Sequence, residues 1–339
     1  MAAGKEKAVT QTDIARELNI SVVSVSNALS GKKGVSDELR QLVLDTAEEM
    51  GYQGDIRMAK MRENSVRIGV VVSERYLYDV PSFYMNVYQE IVVAAANQNS
   101  VTVLEVLSIE AEEKLQMPDL VKNGQADGIL VLGEMKRPYT RVMKEKSKVP
   151  VIFVDYYEDL PDTDFIISDG YTGTCQLTRR LLDAGYRKIG FVGNNRATSS
   201  IMDRYLGYRK ALMERNIEIC PEWVIPDRED RSHNIYVELP EKLPEAFVCN
   251  CDKTASILIC HLREAGYRVP EDIGVVGFDH FLMENIEGLQ LATYDVDIAE
   301  MAKFSVNTLR RKINGTSFTS RLRVIHGKVI DGSSYLTKR

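Results

Sequence analysis

The feature that most constrains this 339-residue chain is a double series of short Val- and Ile-rich runs separated by amphipathic segments, starting at Arg67. RIGVVV, VTVLEVL, ADGILVLG and VPVIFVD are almost continuously apolar, the pattern of strands covered on both faces in a parallel sheet. Between them FYMNVYQEIVVAAANQ and IEAEEKLQMPDLVKNG read as helices, the second closed by a glycine suited to a C-cap. FIISD opens a second series, in which KIGFVGN, AFVCN and IGVVGFD alternate with GYTGTCQLTRRLLDAGY, SIMDRYLGYRKALMERN and KTASILICHLREAGY. Two such series predict two doubly wound lobes in the α/β class, with a ligand cleft at the carboxyl ends of their strands. The alternation fails between Trp223 and Glu245, where DREDRSHNIYVELPEKLPE has a strand-like IYVEL and two prolines in place of the helix that is due. LATYD, a helix over VDIAEMAKFSVNTLRRKING and two short strands in LRVIHGKVIDGSS complete the pattern.

The first 65 residues hold helical patterns and no convincing strand: QTDIARELN, SVVSVSNALS, DELRQLVLDTAEEMG and IRMAKMRE. Thr12 and Ser36 stand where N-caps are expected. The first two helices are joined by a very short turn and the second starts at a serine, a helix-turn-helix arrangement. Val25, Ala28 and Leu29 form one apolar stripe on the second helix, which leaves Val22, Val23, Ser26 and Asn27 on or beside the other face. Short uncharged side chains there suit a major groove: valines meet thymine methyls, Asn27 pairs with adenine, and serines fit beside phosphates. The same spacing also fits a small helix that only packs on its neighbour.

The segment VTQTDIARELNISVVSVSNALSGKKGVSDELRQLVLDTAEEMGY resembles the DNA-binding headpiece of the LacI (lactose repressor) family. The lobes that follow resemble that family's core, of the periplasmic binding protein type I kind, so the likeness runs from about Val9 to Tyr335. It implies an all-α helix-turn-helix headpiece followed by two doubly wound parallel-sheet lobes. It also implies that Val22, Val23 and Asn27 read bases, with Ser26 beside them, and that Thr10, Ser21, Ser24 and Ser36 fix phosphates. Asn27 stands where the family usually has arginine, which favours adenine over guanine as the base contacted. The family's hinge helix, commonly YxPNxxARxL, corresponds here to YQGDIRMAKM, with Gly54 at the proline and Met61 at the leucine that wedges into the minor groove. Packing of Met58 and Met61 on the core is the alternative reading.

Composition narrows the class. Hydrophobic content of 44% and charged content of 27% are those of a soluble globular protein. No signal peptide opens the chain and no run spans a membrane, so a cytoplasmic location is expected, and Asn314-Gly315-Thr316 carries little meaning as a glycosylation sequon. A net charge of −6 argues against a chain that coats nucleic acid over its whole surface, and the first 65 residues themselves carry nine Lys and Arg against ten Asp and Glu. Lys32 and Lys33 are the local positive charge beside the second helix. The five cysteines, at 175, 220, 249, 251 and 260, are read as reduced core thiols; no second pair joins Cys249 and Cys251 to make a zinc site, and no metal or cofactor is expected.

Carboxylates collect at strand ends: Asp155 after VIFV, Asp169 after FIIS, Asp252 after FVCNC and Asp279 after VVGF. Two of them would serve as acid and base in a glycosidase, or all could accept hydrogen bonds from ligand hydroxyls; a third role, as helix N-caps, suits Asp252. No nucleophile elbow, zinc motif or P-loop accompanies them, which favours binding. The family likeness adds Arg204, in DRYLGYRKAL, as a cation clasping the ligand, and Phe83 and Tyr84, in PSFY, as an apolar wall. Cys251 and Gly170 replace asparagines that the family usually has.

The expectation is a sequence-specific transcription regulator, a repressor, without enzymatic activity. A sugar-like effector between the lobes controls its affinity for an operator, which a homodimer reads. The alternative is a cytosolic sugar- or nucleotide-processing enzyme. Expected limits are a headpiece at 1–53, a hinge helix at 54–65 and a core at 66–339, with lobe 1 at about 66–164 and 294–321 and lobe 2 at about 165–293 and 322–337.

Overall fold

The computed structural model describes residues 9–30, 34–52, 65–78, 82–229, 235–281, 286–315 and 321–338. They form two compact units, one reaching to Val66 and including 98–101, the other holding the remainder.

The first unit contains α1 (Gln11–Glu17), α2 (Val22–Leu29) and α3 (Asp37–Glu49). The cap of α1 is Thr10, not Thr12: the Asp13 carboxylate accepts from the Thr10 backbone N–H at 2.9 Å and its hydroxyl at 2.6 Å, which fixes the helix start two residues earlier. Asn19, at φ 54°, makes the turn into α2, a left-handed position that asparagine tolerates. Ser21 then caps α2 by accepting from the Ser24 N–H at 3.0 Å, and Ser36 caps α3 by accepting from the Leu39 N–H at 3.3 Å. The stripe Val25, Ala28 and Leu29 is buried against Ile14, Ala15, Val43, Leu44 and Ala47. Arg40 of α3 is itself buried and donates to the Ala28 carbonyl at 3.3 Å, which satisfies the last turn of α2. The expected hinge at 54–65, apart from Ser65, lies outside the described residues, as do Met61, Lys32 and Lys33.

The second unit begins with β1 (Val66–Ser73), α4 (Phe83–Ala96), β2 (Ser100–Leu107), α5 (Ile109–Glu113), α6 (Asp119–Lys122), β3 (Gly128–Leu132), α7 (Arg137–Lys146), β4 (Val151–Val154) and β5 (Asp164–Ser168). The single helix expected over IEAEEKLQMPDLVKNG is broken into α5 and α6, because Leu115 turns left-handed at φ 54° and Pro118 cannot continue the first helix. Helix α7, which periodicity did not announce, starts with Pro138 in its first turn.

The chain continues with α8 (Gly170–Asp183), β6 (Ile189–Val192), α9 (Ser199–Met213), β7 (Val224–Ile225), β8 (Ala246–Cys249), α10 (Asp252–Glu264), β9 (Gly274–Val276), β10 (Thr293–Asp295), α11 (Ile298–Ile313), β11 (Leu322–Ile325) and β12 (Lys328–Ile330). Among the described residues from Trp223 to Glu245 there is no helix. The expected strand IYVEL joins no ladder; Val237 instead buries itself in the second lobe's core while its carbonyl meets His261 Nδ1 at 2.8 Å.

Two sheets result. The first has the order β2-β1-β3-β4-β5-β11 and the second β7-β6-β8-β9. The pairs β1/β3, β3/β4, β4/β5 and β5/β11, and all three pairs of the second sheet, are parallel. Strand β10 pairs antiparallel with β12 and touches the second sheet through single parallel bridges, Val276 with Ala292 and Asp279 with Asp295.

These pairings move the lobe limits. Phe165 pairs with Phe153 and Ile167 with Val324, so β5 and β11 belong to the first sheet rather than to lobe 2. Conversely β10 belongs with the second sheet. The chain thus crosses between lobes after Ser168, between Asp295 and Ile298, and between Ile325 and Lys328. The first lobe's core gathers Val71, Ile129, Val131 and Phe153, and the second lobe's gathers Val192, Phe247, Leu258 and Val275.

Helices α8 and α9 approach closely because Gly207 lacks a side chain. A Cβ at 207 would be driven into the Tyr171 carbonyl. Gly207→Ala is therefore expected to lower stability by about 2 kcal/mol or more, read as a reduced urea midpoint with an unchanged slope.

Candidate functional site

On α2, the face opposite the buried stripe is open. Val22 and Val23 are exposed, Val23 to 67%, and Ser21 lies beside them, its hydroxyl 2.8 Å from that of Ser24. Asn27 and Ser26 are half-buried, and Thr10 and Ser36 are exposed at the N-termini of α1 and α3. The helix therefore presents two bare valines near its start and an amide one turn later, a surface able to enter a groove.

In the core, a cavity of about 170 Å³ opens between the lobes at the carboxyl ends of both sheets. Each doubly wound sheet reverses strand order there, which leaves a crevice between diverging loops. Phe83 and Tyr84 enter it from the start of α4. Their rings meet edge-on at 5.5 Å, Tyr76 lies 4.4 Å from Tyr84, and Phe281 of the second lobe faces Phe83 at 6.1 Å. Together these rings make an apolar wall drawn from both lobes.

The polar side of the cavity is built on Arg204, Asp155 and Asp279. Arg204 projects from α9, is only 7% exposed, donates to the Asn250 carbonyl at 2.9 Å and rests 4.2 Å above the Phe278 ring centroid. Its Nε is buried with no hydrogen-bond partner. Asp155, at the end of β4, accepts from the Tyr84 hydroxyl at 2.9 Å and the Ser168 hydroxyl at 3.3 Å. Asp155 and Asp279 both adopt left-handed backbone, at φ 61° and φ 90°, a strained conformation for non-glycine residues that aims strand-end side chains into the crevice. Burial pushes the Asp155 carboxyl above its ordinary range despite Arg204. Burial and then the neighbouring Asp252 push Asp279 well above it. Such carboxyls gain from ligand groups that donate hydrogen bonds.

Five of the seven residues expected at the ligand site line this cavity: Phe83, Tyr84, Asp155, Arg204 and Asp279. Asp169 and Asp252 do not. Asp169 caps α8 by accepting from the Thr172 N–H at 2.9 Å, and its other oxygen lies 2.7 Å from His326 Nδ1. Asp252 is wholly buried and accepts from the Thr293 hydroxyl at 2.6 Å. Nor is it the cap of α10, a role that Cys251 fills by accepting from the Thr254 N–H at 3.4 Å.

Sequence reasoning missed Arg75, Tyr76, Arg228, Asn250 and Lys253, which also line the cavity. Arg228 could not be found by pattern, since it follows the short β7 where the alternation breaks down. Its anchor is Asp227, which also accepts from the Asn250 amide at 2.7 Å and the Thr254 hydroxyl at 2.8 Å. Among the described residues no cluster could hold a metal ion. The cysteines are all free thiols, but Cys260 is exposed, against the expectation of a core position. Cys251 reaches the cavity, where burial pushes its thiol up to about 11.

Asp252 generates a pH dependence. Burial pushes its carboxyl up to about 7, above the unfolded value near 4. Between those values Asp252 holds more proton in the native state than in the unfolded chain, so its contribution to stability falls as pH rises through the window, and the raised Asp279 beside it extends the fall. Asp252→Asn, whose amide oxygen keeps the Thr293 bond, should flatten the dependence of the urea midpoint between about pH 4 and 7; an unaltered slope would assign it to other groups.

Comparison with known proteins agrees with this architecture. Residues 10–55 match the model of bacterial regulatory proteins of the lacI family, and residues 178–335 match the periplasmic binding protein-like domain. The chain is 27% identical over 318 residues to the HTH-type transcriptional repressor PurR of Mannheimia succiniciproducens, covering 90% of this chain and 92% of that one. It is 25% identical over 322 residues to the ribose operon repressor of Haemophilus influenzae, covering 93% and 95%. The lac repressor dimer bound to operator and an anti-inducer has the same fold, with a TM-score of 0.68 at 20% identity over 97% of this chain and 99% of that chain. No helix among the described residues is long and apolar enough to cross a membrane. These relatives are repressors rather than enzymes: the chain joins a DNA-binding domain of the lacI family of bacterial regulatory proteins to a periplasmic binding protein-like core, and is a ligand-controlled, DNA-binding transcriptional repressor.

Proposed function

We propose that the interlobe cavity takes a small polyhydroxylated effector, and that Val22, Val23 and Asn27 read the operator. The observation that carries the effector reading is the convergence of buried Arg204 and Asp155 with half-buried Asp279 beside an aromatic wall. A sugar-like molecule offers hydroxyls that donate to the raised carboxyls and accept from the guanidinium, and its apolar ring face suits Phe83 and Tyr84. Control then requires that the effector bind one arrangement of the lobes more tightly than the other.

For the operator, exposed valines suit thymine methyls and Asn27 suits adenine, while Thr10, Ser21, Ser24 and Ser36 stand at helix starts where N–H groups favour phosphate. Ser26 flanks this surface, and Met61 is the wedge residue in the same reading. The headpiece (1–53), hinge (54–65) and two-lobed core (from 66) act in that order along the chain, in the cytoplasm.

A homodimer reading a near-palindromic site is part of the proposal. It is supported by β2, an edge strand with Val103 and Val106 exposed, and by Val92 and Val93 exposed on α4. A bare apolar strand edge calls for a partner, and a second copy provides one with matching symmetry.

Two substitutions test the two halves separately. Arg204→Ala is expected to weaken calorimetric binding of a sugar or nucleoside that raises the melting temperature of the wild type by at least about tenfold, with operator affinity retained; unchanged titration would remove Arg204 from the site. Asn27→Ala is expected to cost about 1–3 kcal/mol of discrimination at one base pair per half-site in a binding-site selection. An identical selected sequence would contradict that role.

A further inference from the structure

The interlobe cavity adjoins a second recess of about 230 Å³, and Arg75, Tyr76, Thr198 and Arg228 line both. The recess is markedly cationic. Arg75, Lys136 and Arg137 reach it from the first lobe and Arg196 and Arg228 from the second, while Glu134 is the one carboxylate among its described lining residues.

Four of these five cations have acid partners outside the lining: Lys136 meets Glu113 at 2.7 Å, Arg137 meets Glu158 at 3.9 Å, and two more pairs are buried. Glu112, wholly buried, pairs with Arg75, and Asp227, equally buried, pairs with Arg228. Such backing carboxylates hold guanidinium groups in place with their remaining N–H groups turned forward. Arg75 is 8% exposed; it donates from Nε to the Ser73 hydroxyl and from Nη2 to Glu112, which leaves Nη1 with no hydrogen bond among the described residues. The recess also already accommodates an anion: Glu134 Oε2 accepts from the Ser199 N–H at 2.7 Å, at the first turn of the 15-residue α9. The Ser199 hydroxyl is buried there without a partner.

From this arrangement we infer that the effector is phosphorylated, its polyol part in the first cavity and its phosphoryl group in the cationic recess between Arg75, Lys136, Arg196 and Arg228. The inference rests on the interlobe cleft being the effector site and deepens that reading. It also supplies the differential affinity that control needs. Bringing the lobes together sets cations of one lobe against cations of the other, and a dianion between them replaces repulsion with charge-assisted hydrogen bonds. A neutral polyol that bridges the lobes lacks this electrostatic share of the preference.

The test uses the full-length protein and inorganic phosphate as the probe, with potassium chloride at matched ionic strength as the reference. Phosphate is expected to raise the unfolding midpoint of the wild type above that reference. Its calorimetric Kd should weaken at least about tenfold in Lys136→Gln/Arg196→Gln. Those two side chains reach solvent, so the variant retains its core, and Lys114→Gln/Lys122→Gln, which removes two exposed cations outside both cavities, should keep phosphate binding within about threefold. Phosphate that stabilises no more than chloride, or that binds wild type and the double variant alike, overturns the inference. Neutral-ligand binding that is lost in Arg204→Ala would then still uphold the cleft as the effector site, so the two readings fail separately.

Discussion

A guanidinium held almost entirely out of water at Arg204 is the constraint around which the core is arranged. Burying such a charge is costly unless neighbours replace its hydration. The Asn250 carbonyl and the Phe278 ring do so, and they come from the ends of two adjacent strands, β8 and β9. The helix that carries Arg204 lies close to α8 because Gly207 permits it, and the side chain runs past Gly170, where a Cβ would crowd its Cγ. The departure from the family at Gly170 therefore exchanges an amide contact for room beside the arginine. Helix packing, sheet register and ligand chemistry meet in one side chain.

Much of the fold was legible because its signals are redundant. Val- and Ile-rich runs at regular spacing admit few structures besides parallel strands, and most observed strands fall on those runs. What was misjudged depends on partners distant in sequence. Nothing local to FIIS tells which of two sheets it will join; its pairing with β4 and β11 decides that. Thr10 rather than Thr12 caps α1 because Asp13 reaches back, a choice between two threonines that composition leaves even. The strand-end aspartates looked alike, yet two of them turn into the crevice on left-handed backbone while Asp169 and Asp252 are consumed by a helix cap and a threonine. Backbone dihedrals separate these roles, and residue identity alone does not. Arg75 and Arg228 escaped notice for the same reason, since each owes its position to a buried acid far away along the chain or in a segment without periodicity.

The two lobes also touch through more than the ligand site. Tyr157 donates to Asp203 at 2.8 Å, and the Ser199 N–H donates to Glu134. These contacts are few and polar, as suits a joint that must exist in two arrangements of similar free energy. The cavity sits among them, so whatever fills it acts directly on the balance between arrangements and needs no long relay within the core.

The triple crossing between lobes bears on how the chain is made. Strand β11 finishes the first sheet beside β5, and β12 pairs with β10 next to the second, yet both follow every other strand in the sequence. During synthesis both sheets must wait with open edges until this stretch leaves the ribosome, while the headpiece, whose contacts are local, has long since been released. Translation thus presents a finished DNA-reading module ahead of the body that governs it, and premature termination would free a reader without its regulator.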